Sequence, residues 1–163
     1  MHSTGSHWNY SARYPKEFKK FKPAVDKSAK IDASGCSNEE LVNSYDNSIL
    51  YTDYFLSEVI NRLKDKNAFL IYASDHGESL GECGRLTHGA DGYFKEQREV
   101  PIMVWFSEEY KKTHPEKWAA VESFQKQTIS HDNIFHSILD CLSIESEIVD
   151  KSLSLCQKTR KTN

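Results

Sequence analysis

Three observations predict an α/β fold with a mostly parallel sheet. A long stretch of apolar residues at helical spacing runs directly into a short apolar segment, Ala68–Ala73. A second apolar run, Ile102–Phe106, follows a glycine-rich stretch. Short apolar runs rich in β-formers are typical of strands buried on both faces of a parallel sheet, and a helix that leads into such a strand is half of a β-α-β unit.

The helix before the first strand has a clear start and a clear end. Ser37 and Glu40 form a capping-box pattern, in which each side chain bonds the backbone N–H of the other residue. The helix is predicted to end near Lys64–Lys66, where cations suit the negative end of the helix dipole. Its predicted buried face contains Leu41, Tyr45, Ile49, Leu56, Ile60 and Leu63, with Thr52 and Val59 on the same side.

Composition bounds the class of protein. The chain has 163 residues, which is enough for one domain with a real core. It is 38% hydrophobic and 28% charged with a net charge of −3, a composition that suggests neither a nucleic-acid surface nor a polybasic membrane patch. No apolar run approaches the ~20 residues of a membrane-spanning helix. The first ten residues have no signal-peptide core. We therefore expect a soluble chain without a membrane anchor or a targeting signal.

A cluster of metal-type ligands follows the first predicted strand. Asp75 and His76 are adjacent in a turn, and their oxygen and nitrogen donors suit Zn²⁺ and also Mn²⁺. Gly77 lets the backbone fold back without a Cβ clash. Glu78 adds a third acidic ligand candidate, and His88 adds a second imidazole after a glycine-rich loop. The alternative is a capped strand end with a surface histidine.

Two further stretches near the N-terminus each have two interpretations. His7 lies in an aromatic-rich segment that either packs on a site or forms an ordinary surface loop. The basic and aromatic residues of 16–22 either touch an anionic headgroup or form a solvated loop with buried rings.

The sequence DHGESLGE, followed by a short loop and THG, resembles the signature of the phosphoethanolamine transferases of the alkaline phosphatase/sulfatase superfamily, which include colistin-resistance proteins. The N-terminal segment GSHxxYxxRYP is similar to another motif of that family. The resemblance implies that Asp75 and His76 bind the catalytic zinc. It implies that His7 and His88 act at a second metal or at the donor phosphate, as catalytic and substrate-binding residues, with Glu78 on the substrate side.

The resemblance also implies a fold and a reaction. Residues 1–163 would be the C-terminal part of an alkaline-phosphatase-like, three-layer catalytic domain. The implied reaction transfers phosphoethanolamine from phosphatidylethanolamine to an enzyme threonine and then to lipid A or another cell-envelope glycan. The parent enzyme would lie at the periplasmic face of the bacterial inner membrane.

The family's nucleophilic threonine and a glutamate zinc ligand precede the GSH segment, at which this chain begins. None of Thr4, Thr52, Thr87, Thr113 and Thr128 has the nucleophile's context. We therefore expect the isolated chain to be inactive without the missing N-terminal half, with an exposed sheet edge. Two alternatives stay open: a sulfatase, phosphodiesterase or phosphoglycerol transferase of the same superfamily, and a non-catalytic metal-binding remnant.

The remaining candidates are structural. The four cysteines, Cys36, Cys83, Cys141 and Cys156, show no CxxC spacing, and their pairing is open. The resemblance implies a free Cys36, because Val25 occupies its usual partner's position, and stability that comes from packing. A helix is expected at residues 115–125, and another after Ser130 with Ile134, Ile138, Leu139 and Leu142 on one face. His131 and His136 are expected to cap or pack. Lys95 either attracts a donor phosphate or is a surface charge on a lid-like loop.

Overall fold

The computed structural model describes residues 3–26, 37–89 and 93–157, and the chain divides into two compact units. The first unit contains Met1–Ile60 and Ser74–Pro101, and the second contains Asn61–Ala73 and Ile102–Asn163. The helices and strands are, in chain order, α1 (Asn38–Leu63), β1 (Phe69–Ala73), β2 (Ser79–Leu80), β3 (Leu86–Thr87), α2 (Lys95–Arg98), β4 (Ile102–Phe106), α3 (Glu108–Thr113), α4 (Pro115–Ser123) and α5 (Asp132–Cys141).

Helix α1 begins where the capping box predicts. The Ser37 N–H donates to the Glu40 carboxylate at 3.2 Å, and the Glu40 N–H donates to Ser37 Oγ at 3.3 Å. These reciprocal bonds satisfy two backbone donors that a helix start otherwise leaves unpaired. The helix ends at Leu63, just before the predicted lysines.

The buried face of α1 differs from the predicted apolar stripe. Leu41, Ser44, Asn47 and Ser48 are fully buried, whereas Ile49 is 43% exposed. Asn47 Oδ1 accepts the backbone N–H groups of Lys20 and Phe21 at 2.7 and 2.9 Å. The preceding loop therefore packs on polar side chains of the helix, a contact that helical periodicity does not predict.

The two predicted strands form within a residue of their expected bounds, but they pair antiparallel. In the β1–β4 ladder Phe69 faces Phe106 and Ala73 faces Ile102. Among the described residues, β2 and β3 form the other pair, which is also antiparallel. The expectation of parallel pairing is wrong for these strands. A parallel crossover usually passes through an α-helix, and the only α-helix between β1 and β4 in the described segments is the four-residue α2. Strand β1 is also only half-buried, not covered on both faces.

Helices α3, α4 and α5 belong to the second unit, whose core is aromatic. The buried cluster contains Phe106, Tyr110, Cys141 and Cys156, against which Phe69, Val104, Trp118 and Val121 pack. Ser107 caps α3 by accepting the Tyr110 N–H at 3.1 Å. As predicted, a helix starts at Pro115, and it ends at Ser123.

Helix α5 turns a polar face inward, which corrects the predicted apolar face. Ser137 and Asp140 are buried, whereas Ile138 and Leu142 are 39% and 54% exposed. Ser137 Oγ accepts the Leu155 N–H at 2.9 Å, and Asp140 accepts the Ser154 hydroxyl at 2.6 Å. The C-terminal segment thus covers the polar face of the helix.

A disulfide joins Cys141 at the end of α5 to Cys156 in that C-terminal segment. The expectation that stability comes from packing alone is therefore wrong for this unit. Cys83 is exposed and free in the described part of the chain. Cys36 lies outside the described residues, so its predicted free state stays a prediction.

Candidate metal and phosphate site

The turn after β1 is fixed by bonds between neighbouring residues. Ser74 Oγ donates to the His76 carbonyl at 2.6 Å, and the His76 N–H donates to Asp75 Oδ1 at 3.1 Å. His76 Nδ1 donates to the Gly77 carbonyl at 2.9 Å. Since Nδ1 is used in this way, Nε2 is the ring nitrogen that His76 offers to a ligand.

Gly77 allows two backbone segments to approach closely. Its N–H donates to the Gln97 carbonyl at 2.9 Å. A Cβ atom at this position would collide with the backbone carbonyl oxygen of Glu96. The sequence-based expectation that Gly77 avoids a Cβ clash is confirmed, because the backbone next to α2 leaves no room for a side chain.

The β2–β3 hairpin brings Glu78 and His88 together. Ser79 pairs with Thr87 in its register, so the residues that flank this pair, Glu78 and His88, lie opposite each other. His88 Nδ1 and Glu78 Oε1 are 3.0 Å apart. The Glu78 side chain is only 4% exposed, which makes this a largely desolvated contact.

Tyr10 is hydrogen-bonded to the other oxygen of the Glu78 carboxylate. Its hydroxyl donates to Glu78 Oε2 at 3.1 Å, and its side chain is fully buried. Burial, together with the nearby charge of Glu78, raises the pKa of the Tyr10 phenol well above its usual value. Tyr10 is thus a stable hydrogen-bond donor. Sequence reasoning gave Tyr10 no role, although it is the first tyrosine of the GSHxxYxxRYP segment, because 68 positions separate it from Glu78.

Three histidine rings lie together, and His88 among them contacts Glu78. The ring centroids of His76 and His88 are 3.8 Å apart, and those of His7 and His88 are 5.3 Å apart. One ligand atom each from His76, Glu78 and His88 lies within 4.8 Å of the others. The side chains predicted from separate motifs therefore meet at one place in the first unit.

Arg13 fixes the loop that carries His7. Its Nε donates to the His7 carbonyl at 2.9 Å, and its terminal nitrogen donates to the Trp8 carbonyl at 2.8 Å. The loop is thus tied at two successive carbonyls. His7 itself is exposed, so its ring is accessible to a substrate.

Asp75 occupies a different position from the other candidates. Its side chain is 81% exposed, and its Oδ1 lies 3.9 Å from His76 Nε2. Asp75 is not a member of the compact group of His76, Glu78 and His88. The role of Asp75 as a metal ligand stays a prediction. Glu78, which the resemblance implied to be on the substrate side, belongs to the compact group with His76 and His88.

The remaining histidine and lysine candidates make surface or structural contacts. His136 Nδ1 accepts the Asp150 N–H at 3.0 Å, as a packing role predicts. Lys95 is exposed and lies 3.6 Å from the carboxylate of Glu99. His131 is exposed at the start of α5.

The donor set fits zinc. Two imidazoles and a carboxylate are the nitrogen and oxygen ligands that Zn²⁺ takes in catalytic sites, where three protein ligands leave a position open. The bond from Glu78 to His88 matches the carboxylate–histidine contacts that commonly orient zinc-binding imidazoles.

The sulfatase family profile matches residues 1–144, so the chain belongs to the sulfatase family. The chain is 35% identical to the phosphoethanolamine transferase EptA of Escherichia coli K12, over 100% of the chain and 31% of that protein. The resemblance inferred from the DHGESLGE segment is confirmed. This chain thus spans about a third of the relative's length.

Solved structures of the same kind share the fold. The C-terminal periplasmic domain of phosphoethanolamine transferase EptC from Campylobacter jejuni aligns with a TM-score of 0.85 and 35% identity, over 99% of this chain and 52% of that one. The corresponding domain of E. coli EptC, solved in complex with zinc, aligns with a TM-score of 0.70 and 25% identity, over 98% and 44%. The predicted α/β, alkaline-phosphatase-like class is confirmed.

Proposed function

We propose that this chain supplies the metal-binding and phosphate-binding part of a phosphoethanolamine transferase. The reaction is zinc-dependent transfer of phosphoethanolamine from phosphatidylethanolamine to lipid A or another cell-envelope glycan. Residues 1–163 act as the C-terminal part of a larger sulfatase-like catalytic domain. The observation that carries the proposal is that the rings of His7 and His76 both lie against the ring of His88, which is bonded to the buried carboxylate of Glu78.

Each residue has a distinct task in this proposal. A bound zinc ion would polarise a phosphoryl oxygen and lower the pKa of a hydroxyl nucleophile. His76 offers Nε2 to the metal, with Asp75 beside it. Glu78 bonds Nδ1 of His88, so this ring would offer Nε2 to a metal or to the donor phosphate. His7 is accessible and adjacent, which suits a proton donor to the leaving alkoxide.

The Cys141–Cys156 disulfide supports an extracytoplasmic location for the chain. Disulfides persist in oxidising compartments such as the bacterial periplasm. The related Campylobacter domain is described as periplasmic. No helix in the described segments is long and apolar enough to cross a membrane. On the strength of the disulfide and the periplasmic relative, the proposal places these residues at the periplasmic face of the inner membrane.

A chimera tests the function directly. The chain would replace the corresponding C-terminal segment of E. coli EptA, since the alignment covers all of it. Mass spectrometry of lipid A should then detect added phosphoethanolamine. His76→Ala should lower the modification at least about 100-fold, because metal sites contribute several kcal/mol to the barrier.

The matched control is His131→Ala, which removes an exposed histidine at the start of α5 and should leave lipid A modification unchanged. A chimera that accumulates in the membrane, binds zinc and leaves lipid A and other glycans unmodified would contradict the proposal. Equal losses in the His76→Ala and His131→Ala variants would contradict the assignment of the site.

A further inference from the structure

An exposed aromatic cluster lies on the first unit, and it shares no residue with the histidine site. The ring of Phe18 lies 4.9 Å from that of Tyr51 and 5.1 Å from that of Tyr54, both on α1. Tyr54 and the adjacent Phe55 are 46% and 38% exposed. Phe21 follows Phe18 in the chain and is 44% exposed.

The position of Phe21 is fixed although its ring is exposed. Its backbone N–H donates to Asn47 Oδ1 at 2.9 Å, and its carbonyl accepts from Asn47 Nδ2 at 3.0 Å. Asn47 is one turn before Tyr51 on the same helix. The Asn47 side chain therefore holds the backbone of Phe21 against α1 while the Phe21 ring is exposed. The exposure of this ring is thus not a result of a loosely held loop.

Lysines flank Phe18 and Phe21 in the chain. The segment 16–22 contains four lysines and one glutamate in a chain whose net charge is −3. Lys16, Lys20 and Lys22 are exposed, whereas Lys19 is engaged, since its Nζ donates to the Ala24 carbonyl at 3.1 Å. The acidic side chains nearest to these rings in the chain are Glu17 beside Lys16, the exposed Asp53 beside Tyr54, and Glu58 one turn beyond Tyr54. Helix α1 also carries Glu39, Glu40 and Asp46 nearer its start.

We propose that this basic-aromatic surface docks the protein on a bilayer that contains anionic phospholipid. The surface consists of Lys16, Phe18, Lys20, Phe21, Lys22, Tyr51, Tyr54 and Phe55. Aromatic side chains favour the headgroup level of a bilayer, and lysines near an anionic surface are attracted to it. The positive segment on a negative chain provides the charge complementarity.

Vesicle co-sedimentation of the full chain tests this. Vesicles would contain phosphatidylcholine alone or with 30% phosphatidylglycerol, a chosen test composition of about one anionic lipid in three. The chain should bind the anionic vesicles only, and binding should weaken as salt is raised, because exposed charges are screened. The triple variant Lys16→Gln, Lys20→Gln, Lys22→Gln should weaken binding about 100-fold, roughly 1 kcal/mol for each lysine.

Two controls separate the surface from net charge and from misfolding. The variant Lys64→Gln, Lys66→Gln, Lys112→Gln removes the same charge from exposed lysines elsewhere, and it should bind like the unchanged chain. The variant Phe21→Ser, Tyr54→Ser should bind at least about tenfold more weakly with an unchanged circular dichroism spectrum.

Three results would overturn the proposal. The first is equal binding to vesicles with and without phosphatidylglycerol. The second is an equal loss of binding in the two lysine variants. The third is a chain that does not bind vesicles but forms a concentration-dependent dimer in analytical ultracentrifugation. If the variant Phe21→Ser, Tyr54→Ser abolishes that dimer, the surface joins two copies of the chain. Lipid A modification by the chimera is measured separately, so failure of docking leaves the proposed function standing.

Discussion

Both oxygens of the Glu78 carboxylate are bonded, and each bond fixes a different part of the candidate site. Oε1 meets His88 on the β2–β3 hairpin, and Oε2 accepts from Tyr10 in the segment that follows His7. Because the carboxylate is buried, loss of either partner leaves a desolvated polar group unsatisfied. Glu78 thus links the two segments that carry His7 and His88.

The variant Tyr10→Phe tests this link. We expect it to lower the free energy of unfolding by about 1–3 kcal/mol, because Glu78 loses a buried donor. Zinc affinity, measured by calorimetry, should fall about 10–100-fold, the usual effect of removing the support of a metal-site histidine.

Tyr14→Phe is the matched control. Tyr14 is also buried, but its hydroxyl contacts Ser11 and Asn47. The Tyr14→Phe variant should lower the free energy of unfolding and leave zinc affinity unchanged. Equal zinc affinities in the Tyr10→Phe variant and the unchanged chain would show that Glu78 does not need Tyr10.

At the scale of elements, sequence predicted where helices and strands begin better than how they pack. The bounds of β1 and β4 follow from continuous apolar runs, and the start of α1 follows from the Ser37–Glu40 box, which are local signals. Strand direction and the inward face of α5 depend on distant partners, such as the Ser137 bond to Leu155. The histidines were predicted from their motifs, whereas the role of Tyr10, which lies in the GSHxxYxxRYP segment, follows only from its contact with Glu78.

Helix α1 should hold its neighbouring loop mainly through Asn47. Asn47→Ala removes bonds to the backbone of Lys20 and Phe21 from a fully buried position, and should lower the free energy of unfolding by about 3 kcal/mol. Asn43→Ala, which removes one exposed bond to the Pro23 carbonyl, should cost less than about 1 kcal/mol. Urea denaturation compares the two, and equal losses would contradict the role of Asn47.

The disulfide should stabilise the packing of α5 against the C-terminal segment. It closes a loop with a sequence separation of 15, for which we expect a contribution of about 3 kcal/mol. Replacing Cys141 and Cys156 by serine should therefore lower the midpoint of thermal unfolding, and a reducing agent should do the same to the unchanged chain. Replacing the exposed Cys83 by serine is the control. An unchanged midpoint without the disulfide would contradict this expectation.

At the scale of the whole molecule, two buried tyrosines predict alkaline instability. Burial raises the pKa of Tyr110 to about 12 and that of Tyr10 further, whereas tyrosines in the unfolded chain ionise near 10. Above pH 10 the folded state therefore holds more protons than the unfolded state, and stability falls as the pH rises toward 12.

Denaturation curves between pH 8 and pH 12 measure this effect, with tyrosine absorbance as a check on ionisation. The double variant Tyr10→Phe, Tyr110→Phe should be less stable at neutral pH, where it loses two hydrogen bonds, but it should show a shallower alkaline decline. If the free energy of unfolding fell equally steeply with pH in the double variant and in the unchanged chain, ionisation of Tyr10 and Tyr110 would not be the cause of the alkaline instability.

The central claim is that the turn after β1 and the β2–β3 hairpin deliver their side chains to one divalent ion. Anomalous diffraction at the zinc absorption edge, on crystals of the chain grown with zinc, tests it most directly. The account predicts one strong peak about 2.0–2.2 Å from His76 Nε2 and from at least one carboxylate or imidazole among Asp75, Glu78 and His88. A fully occupied zinc peak elsewhere, with none beside His76, would contradict it.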